Sequence, residues 1–312
     1  MTRFSLICGT AGRVSELTRL LRSLAAQSFR SFELILIDQN PDDRVLRIID
    51  SLPEKIRIHR LLASPGLCRA MNLGMGKAQG EIVGFPDDDC WYPPDLLQNL
   101  SDLFDAHPEW DGITMPTADD QGVPSIARWA KAPGRLTPSN VGMRGCATSI
   151  FYRRDVCAHV GFFDETIGGV NLLSPGSDID YLHRVIRAGF HMEFQPQLLV
   201  HHPQTLPVAT TDEPGRQKRY SYGYGEGSIA RKYSLPLWYP AAIIGFPLAR
   251  AIKHAAFGLR NEATLEWTTF LGRLNGWMQA RPAPRTIREP LAFPSPEPAN
   301  MQPAERERKQ AG

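Results

Sequence analysis

The 312-residue chain lacks the marks of several large protein classes. Its five cysteines form no Cys-x-x-Cys pair and have no regular spacing, which fits a reducing compartment and argues against a disulfide framework or a zinc site. Residues 1–10 contain no basic segment followed by a long apolar one, so we predict no secretory signal peptide. No segment reaches the roughly 18–20 apolar residues that span a bilayer. Three prolines interrupt the longest apolar stretch, residues 235–249.

The chain also lacks a strong net charge and the common phosphate-binding loops. A net charge of +2 gives no basis for binding nucleic acid, and we predict none. Neither G-x-G-x-x-G in the first turn nor G-x-x-x-x-G-K-[ST] is present, which excludes a standard dinucleotide or P-loop site. Residues 1–212 carry 20 basic and 25 acidic side chains, whereas residues 213–281 carry 10 and 4. A neutral-to-acidic body is therefore joined to a basic C-terminal region.

Short apolar runs alternate with segments of helical periodicity in the first half of the chain. The runs lie at residues 4–8, 32–37, 56–61 and 82–85, and leucines after the first of them repeat at helical spacing. This rhythm predicts an α/β fold with a mostly parallel sheet and helical crossovers. In such sheets ligands bind beyond the carboxyl ends of the strands.

Three adjacent carboxylates, Asp87, Asp88 and Asp89, follow the fourth apolar run. Adjacent like charges repel one another, so they require compensation by water or by a cation. If the chain remains extended, Asp87 and Asp89 point to one side and Asp88 to the other. Two oxygen ligands on one face suit Mg²⁺ or Mn²⁺, with substrate phosphates completing the coordination. A solvated acidic loop is the alternative interpretation.

Other acidic and histidine side chains stand at the ends of further elements. Asp38 ends the second apolar run, so two strands bring acid to the same edge of the sheet. Asp178 and Asp180 lie at the start of a predicted helix, either as helix caps or as reactive carboxylates. His201 and His202 end a late apolar run, and a histidine near an acidic edge is a candidate metal ligand.

The run from residue 66 to residue 89 resembles the signature of glycosyltransferase family 2 on a GT-A fold, and the likeness extends over residues 4–203. Later blocks match in order, at residues 163–165 and from residue 176 to residue 189. In the first run the resemblance is carried by Gly66, Arg69, Asn72, Gly74, Ala78, Gly80, Glu81, Phe85 and Asp87-Asp88-Asp89.

The resemblance implies transfer of a sugar from a nucleotide-activated donor to a hydroxyl acceptor, with inversion at the anomeric carbon. Thr10 and Arg13 would line the nucleotide, and Asp38 would accept a hydrogen bond from its base. Arg69 would approach the diphosphate, and Asp88 would lie near the sugar. Gly12 stands where the family commonly has Asn, and the run after Asp38 also differs from the common pattern. Both differences leave the preferred base of the donor open.

The same resemblance implies a divalent metal and a catalytic base. Asp87 and Asp89 would contact Mg²⁺ or Mn²⁺ and the ribose–diphosphate, with His201 or His202 as a further ligand. Such a metal offsets the charge that grows on the departing diphosphate.

Asp178 falls where the family places the general base that takes the proton of the acceptor. Ser177 stands where the family usually has Glu, and Asp180 therefore remains the second choice for the base.

We predict three parts: a GT-A domain at residues 1–205, a basic and mainly helical region at 206–281, and a disordered Pro-rich tail at 282–312. Residues 249–277 suggest one amphipathic helix. Its basic charge and nearby tryptophans favour an element lying in a membrane interface, with a helical cap on the catalytic domain as the alternative.

The predicted partners are a nucleotide-sugar donor, a glycan or lipid-linked saccharide acceptor, and the cytoplasmic face of a membrane, as in synthesis of cell-surface polysaccharide. Two other functions remain open. A nucleotidyltransferase would require a longer, Lys-containing phosphate loop than residues 9–13 provide. A non-catalytic nucleotide- or carbohydrate-binding protein would have lost its base, whereas Asp178 and Asp180 are both present.

Overall fold

A mostly parallel eight-stranded sheet forms the centre of the protein. The computed structural model describes residues 2–126, 129–165, 176–204 and 211–282. The strands are β1 (Phe4–Thr10), β2 (Phe32–Asp38), β3 (Ile58–Leu62), β4 (Ile82–Gly84), β5 (Gly112–Thr114), β6 (Thr117–Ala118), β7 (Gly134–Arg135), β8 (Ile150–Arg153), β9 (Met192–Phe194) and β10 (Val200–His201). The helices are α1 (Ser15–Ala25), α2 (Arg44–Asp50), α3 (Leu67–Met75), α4 (Leu96–Ala106), α5 (Arg154–Val160), α6 (Ser177–Arg187), α7 (Glu213–Lys232), α8 (Trp238–Ala256) and α9 (Arg260–Gln279).

The strand order creates a cleft between β1 and β4. The large sheet has the order β3-β2-β1-β4-β8-β5-β9-β7, and β6 pairs separately with β10. β8 is antiparallel to both of its neighbours, β7 is antiparallel to β9, and the other pairs are parallel. The chain moves outward from β1 to β3 and then returns to β4 on the other side of β1. Crevices at such reversals are where open α/β sheets bind ligands. The predicted α/β class is confirmed.

Helices cover both faces of the sheet because side chains of β1 alternate between two cores. Leu6 and Cys8 pack on one face with leucines of α1 and α4. Ile7 points to the opposite face, towards α3. A Cβ atom at Gly74 of α3 would overlap the Ile7 side chain, so glycine permits this close approach of helix and strand.

The C-terminal helices pack on one another through glycine. A Cβ atom at Gly227 would overlap the carbonyl oxygen of Arg273, and one at Gly276 would overlap that of Tyr224. The backbones of α7 and α9 are therefore in direct contact. Within the described residues, no helix combines the length and the apolar character that crossing a bilayer requires.

Several sequence predictions differ from the structure. The prediction of a single helix over residues 249–277 is wrong, because the helix is interrupted between α8 and α9 at Gly258. The φ angle of Gly258 is +73°. A positive φ is easily adopted only by glycine and ends the helix. No regular element was predicted for residues 118–145, and this segment contains β7 and one short helical turn, Val141–Met143. The predicted boundary after residue 205 and the tail from residue 283 lie outside the described residues.

Candidate active site

The three consecutive aspartates form a tight turn directly after β4. The backbone N–H of Cys90 donates to the carbonyl oxygen of Asp87 at 3.2 Å. The chain is therefore not extended here, and the condition under which Asp87 and Asp89 would point to one side of a strand is not met. The turn nevertheless brings Asp87 and Asp89 to one partner, because both approach His202.

A short backbone bridge places His202 beside this turn. The N–H of Trp91 donates to the oxygen of His201 at 3.0 Å, and the N–H of His201 donates to the oxygen of Trp91 at 2.9 Å. The two rings stack with centroids 5.2 Å apart. The side chain of His201 therefore lies against Trp91. His202, the next residue, has its Nε2 3.3 Å from Oδ1 of Asp89.

The surroundings of His202 orient its ring for metal binding. Its Nδ1 lies 2.7 Å from the carbonyl oxygen of Pro203, so Nδ1 carries the proton and donates it to this bond. The lone pair of Nε2 then faces the carboxylates, as in histidine ligands held by an outer hydrogen bond. One ligand atom each from Asp87, Asp89 and His202 lies within 4.8 Å of the others.

The electrostatics of this group fit a divalent cation. Burial raises the pKa of the Asp87 carboxyl to about 7, and the charges of Asp89 and Asp178 add to the increase. Burial also opposes ionisation of Asp89, but His202 and Arg13 hold its pKa below the ordinary value. Oδ1 of Asp89 is buried, and one of its lone pairs faces Nε2 of His202 at 3.3 Å. A cation would occupy this lone pair and relieve the repulsion between the carboxylates.

The loop after β1 covers the same turn. The hydroxyl of Thr10 donates to Oδ2 of Asp88 at 2.8 Å. One terminal nitrogen of Arg13 lies 2.6 Å from Oδ1 of Asp88 and 2.6 Å from Oδ2 of Asp89. Thr10, Arg13 and Asp88 thus contact one another beside the carboxyl ends of β1 and β4.

The two carboxylates at the start of α6 have different surroundings. Oδ2 of Asp178 accepts a hydrogen bond from the N–H of Ala147 at 2.9 Å. Burial raises the pKa of Asp178, and that N–H partly offsets the increase. Ala147 adjoins Thr148, whose hydroxyl accepts from the N–H of Asp87 at 3.3 Å, so Asp178 lies near the acidic turn.

Asp180 is instead only 1% exposed and joins α6 to the C-terminal helices. It pairs with Nζ of Lys232 at 2.6 Å and accepts from the hydroxyl of Tyr233 at 2.6 Å. Arg184 lies 3.3 Å away on the same helix. A carboxylate with these partners is fixed in place and shielded from a substrate.

Asp38 and Arg69 lie outside the acidic group. Asp38 is buried at the end of β2, where its oxygens accept from Arg60 at 2.7 Å and from the side chain of Asn40 at 2.8 Å. A donor base would have to share these oxygens. Arg69 is exposed on α3, with Nε 3.8 Å from a carboxylate oxygen of Glu165.

Three residues near the site, Trp91, Ala147 and Tyr222, were not identified from the sequence. Trp91 forms the bridge that positions His202, and Ala147 supplies the N–H that holds Asp178. Tyr222 of α7 faces the cleft, because burial and then the charge of Asp178 raise the pKa of its phenol. The glycine-rich pattern of α7 predicts a helix in close contact with a neighbouring element. This was the sequence feature that could have indicated a role for Tyr222. Trp91 and Ala147 act through contacts distant in sequence.

The sheet order and the acidic turn at the β1–β4 cleft define the GT-A class of nucleotide-binding α/β folds. The model of the family described as Glycosyl transferase family 2 matches residues 5–161. The chain belongs to this family.

Curated relatives match over part of their length. A poly(ribitol-phosphate) beta-N-acetylglucosaminyltransferase, TarS of Staphylococcus aureus, is 30% identical over 139 residues, which is 43% of this chain and 24% of that protein. A PGL/p-HBAD biosynthesis glycosyltransferase of Mycobacterium bovis is 30% identical over 166 residues, 51% of this chain and 62% of that protein. The matched segment thus spans about a quarter of the length of the first relative.

Solved structures support the fold at low sequence identity. TarS 1–349 of S. aureus in complex with UDP-GlcNAc aligns with a TM-score of 0.55 at 15% identity, over 86% of this chain and 90% of that one. The mannosyltransferase PcManGT of Pyrobaculum calidifontis, in complex with GDP-Man and Mn²⁺, aligns with a TM-score of 0.62 at 17% identity. That alignment covers 89% of this chain and 88% of the other.

Proposed function

We propose that the protein is an inverting, metal-dependent glycosyltransferase that moves a sugar from a nucleotide-diphosphate donor to a hydroxyl acceptor. The observation that carries this proposal is the geometry of the β1–β4 cleft. Asp87, Asp89 and His202 converge there with ligand atoms within 4.8 Å of one another. A potential base, Asp178, lies close enough to change the pKa of Asp87.

Asp87, Asp89 and His202 would hold Mg²⁺ or Mn²⁺ and leave the remaining coordination positions to phosphate oxygens. Bound there, the ion would supply positive charge to the diphosphate as it departs. The chain provides two anionic oxygen ligands and one imidazole nitrogen, a mixed set that suits Mn²⁺ as well as Mg²⁺. The neighbour bound to GDP-Man and Mn²⁺ supports the same assignment.

Asp178 would act as the general base. Its Oδ2 accepts a hydrogen bond from the backbone N–H of Ala147 at 2.9 Å, which orients the carboxylate without any ion pair to a cation of the described residues. Burial raises its pKa above the ordinary value, which strengthens it as a proton acceptor. Asp180 is not available as a base because Lys232 and Tyr233 contact its Oδ1 and Arg184 contacts its Oδ2.

Thr10, Arg13 and Asp88 would line the nucleotide side of the cleft, with Asp38 nearer the base and Arg69 at the diphosphate. We propose a glycan or a lipid-linked saccharide as the acceptor, in synthesis of a cell-surface polysaccharide. The names of the relatives support this class, since they refer to poly(ribitol-phosphate) and to PGL/p-HBAD biosynthesis.

The variant Asp178→Asn tests the proposed base. We expect nucleotide-sugar binding within about twofold of the unmodified protein and transfer reduced by at least about 10²-fold, the scale of general base catalysis. Binding is measured by calorimetry across UDP- and GDP-sugars, and transfer by release of the nucleotide diphosphate. If Asp180→Asn stops transfer without loss of stability while Asp178→Asn does not, the base is misassigned. Binding without turnover by the unmodified protein would favour a non-catalytic binding protein.

A membrane surface is the second proposed partner, at its cytoplasmic face. Trp238, Phe246, Ile252 and Lys253 lie within about 120° of one another around α8, at 100° per residue. Phe246 is 68% exposed and Ile252 is 63% exposed. The opposite side of α8 is buried, with Pro247 inside the packing. An exposed apolar face with a cation on it is typical of a helix lying in an interface with anionic lipid.

Cosedimentation with vesicles tests this contact. Arg250 already pairs with Glu266 at 3.2 Å, so Lys253 and the apolar residues provide the sharper test. We expect Phe246→Ser with Ile252→Ser to reduce binding to phosphatidylcholine vesicles containing phosphatidylglycerol, and Lys253→Ser to reduce only the part that depends on phosphatidylglycerol. Leu62→Ser, at a position 67% exposed on β3, is the matched control. Unchanged sedimentation of the double variant would reject this face as the contact.

A further inference from the structure

Arg13 forms ion pairs with two carboxylates of the acidic turn. Its guanidinium contacts Asp88 and Asp89 through one terminal nitrogen, at 2.6 Å from each. Asp89 also belongs to the group that would bind the metal. One carboxylate is therefore shared between the arginine and the proposed metal position.

Arg13 and a divalent cation compete for the charge of this turn. In the protein alone, Arg13 compensates two of the three adjacent carboxylates, while Asp87 has its pKa raised by burial and by its neighbours. A doubly charged ion beside Asp89 would repel the guanidinium across a few ångströms. Binding of the ion must therefore weaken the contact between Arg13 and Asp89.

The position of Arg13 allows it to move. It lies in the loop between β1 and α1, and its side chain is 44% exposed although its end group reaches the cleft. The preceding residue, Gly12, has a φ of +77°. Asp88 keeps a second donor, the hydroxyl of Thr10, when the arginine leaves. Release of Arg13 would thus leave Asp88 hydrogen-bonded.

We propose that Arg13 exchanges partners during donor binding, from Asp88 and Asp89 in the free protein to the diphosphate of the donor when metal is bound. This rests on the proposed donor site and adds the order of events within it. A guanidinium forms paired hydrogen bonds with phosphate oxygens, and these are stronger than neutral hydrogen bonds. Arg13 is therefore a positioning residue that opposes metal alone and favours metal together with a diphosphate.

Arg13→Ala separates the two effects because they have opposite signs. We expect Mn²⁺ alone to bind several-fold more tightly to the variant, since the competing cation is gone. With saturating Mn²⁺, we expect UDP or GDP, whichever binds the unmodified protein, to bind about tenfold more weakly because a charge-assisted hydrogen bond is lost. Calorimetry gives both affinities, and electron paramagnetic resonance of free Mn²⁺ gives the first independently.

Two further variants make the result specific. Arg19→Ala removes the same charge near the turn, but Arg19 stacks on Trp91 and donates to the backbone oxygen of Asp89 at 3.3 Å. It should change Mn²⁺ affinity less than Arg13→Ala does. Arg13→Lys keeps the charge without the paired donors, so we expect weaker diphosphate binding with Mn²⁺ affinity close to that of the unmodified protein.

Mn²⁺ affinity that is unchanged or lower in Arg13→Ala would overturn the competition. Unchanged diphosphate affinity would overturn the transfer of Arg13 to the donor. If the unmodified protein binds neither Mn²⁺ nor a nucleoside diphosphate, the proposed donor site fails and the exchange fails with it. If the unmodified protein binds both and the arginine variants match it, the donor site stands and the exchange alone is rejected.

Discussion

Asp178 and Asp180 are two residues apart, yet their contacts give them different roles. Asp180 is buried with Lys232 and Tyr233, whereas Asp178 accepts from the backbone N–H of Ala147. We predict that Asp180→Asn lowers the free energy of unfolding by about 2–4 kcal/mol, because Lys232 loses its buried partner. Asp178→Asn should leave stability unchanged or raise it, because it removes a buried charge that lacks a cation.

Denaturation in urea at pH 7 measures both variants. Equal losses of stability in Asp178→Asn and Asp180→Asn would contradict the distinction between a reactive and a structural carboxylate.

At the scale of single residues, the sequence identified the acidic turn but could not choose between neighbours. Asp87, Asp88 and Asp89 stand out because like charges are costly at a strand end. His202 could not be separated from His201, because the choice depends on the Trp91–His201 bridge between distant parts of the chain. The partners of Asp180 could not be predicted for the same reason. Lys232 ends α7 and Tyr233 follows it, and both are distant from Asp180 in the sequence.

At the scale of elements, the contact of α7 with α9 depends on the absence of side chains. We predict that Gly227→Ala destabilises the C-terminal helices by about 1–3 kcal/mol or more, since the new methyl group would overlap backbone atoms of α9. Gly245→Ala on α8 is the matched control, because no atom lies within 4 Å of its added methyl group. The control should stabilise by up to about 1 kcal/mol through helix propensity. Thermal unfolding of each variant tests the pair, and a loss of stability in both would contradict the packing account.

The contact between α6 and the end of α7 should depend on pH. His183 stacks on Tyr233 with ring centroids 4.6 Å apart. Burial lowers its pKa from 6.5 to about 4, against the opposing charge of Asp180 and with the help of Arg187. The folded state therefore binds fewer protons than the unfolded state between pH 6.5 and pH 4. The neutral His183 side chain therefore costs no stability above pH 6.5. The free energy of unfolding decreases as the pH falls from 6.5 to about 4.

We expect His183 to lower the free energy of unfolding by up to about 3 kcal/mol as the pH falls across that interval. His183→Phe keeps an aromatic ring against Tyr233 and should reduce the slope of stability with pH. His159→Gln, at an exposed position on α5, should leave the slope unchanged. A slope that is identical in His183→Phe would show that this histidine does not titrate on unfolding.

Helices and strands of the catalytic part were predictable where periodicity was strong. The apolar runs at residues 4–8 and 32–37 agree with β1 and β2. Short strands such as β6 and β7 were not predicted, because two residues carry no periodicity and their pairing depends on β10 and β9. The break at Gly258 was missed because the apolar pattern continues on both sides of it.

At the scale of the whole molecule, the order of apolar runs predicted the α/β class, since alternating strands and helices allow few other arrangements. The docking of the C-terminal helices on α6 was beyond sequence reasoning. It depends on a buried ion pair between Asp180 and Lys232, 52 positions later in the chain. Burial and then the charge of Asp178 raise the pKa of Tyr222 in α7, so we expect the C-terminal helices to influence the proposed site.

The measurement that tests the central claim most directly is thermal unfolding with UDP and GDP, each with Mn²⁺ and with EDTA. A ligand that binds only the folded state raises its stability, and at about 100 times the dissociation constant the midpoint should rise by roughly 5–10 °C. We predict such a rise with one nucleotide, in Mn²⁺ but not in EDTA, and its loss in Asp89→Ala but not in Asp50→Ala, an exposed carboxylate at the end of α2. No rise with either nucleotide, or an equal rise in EDTA, would contradict a metal-dependent donor site at Asp87, Asp89 and His202.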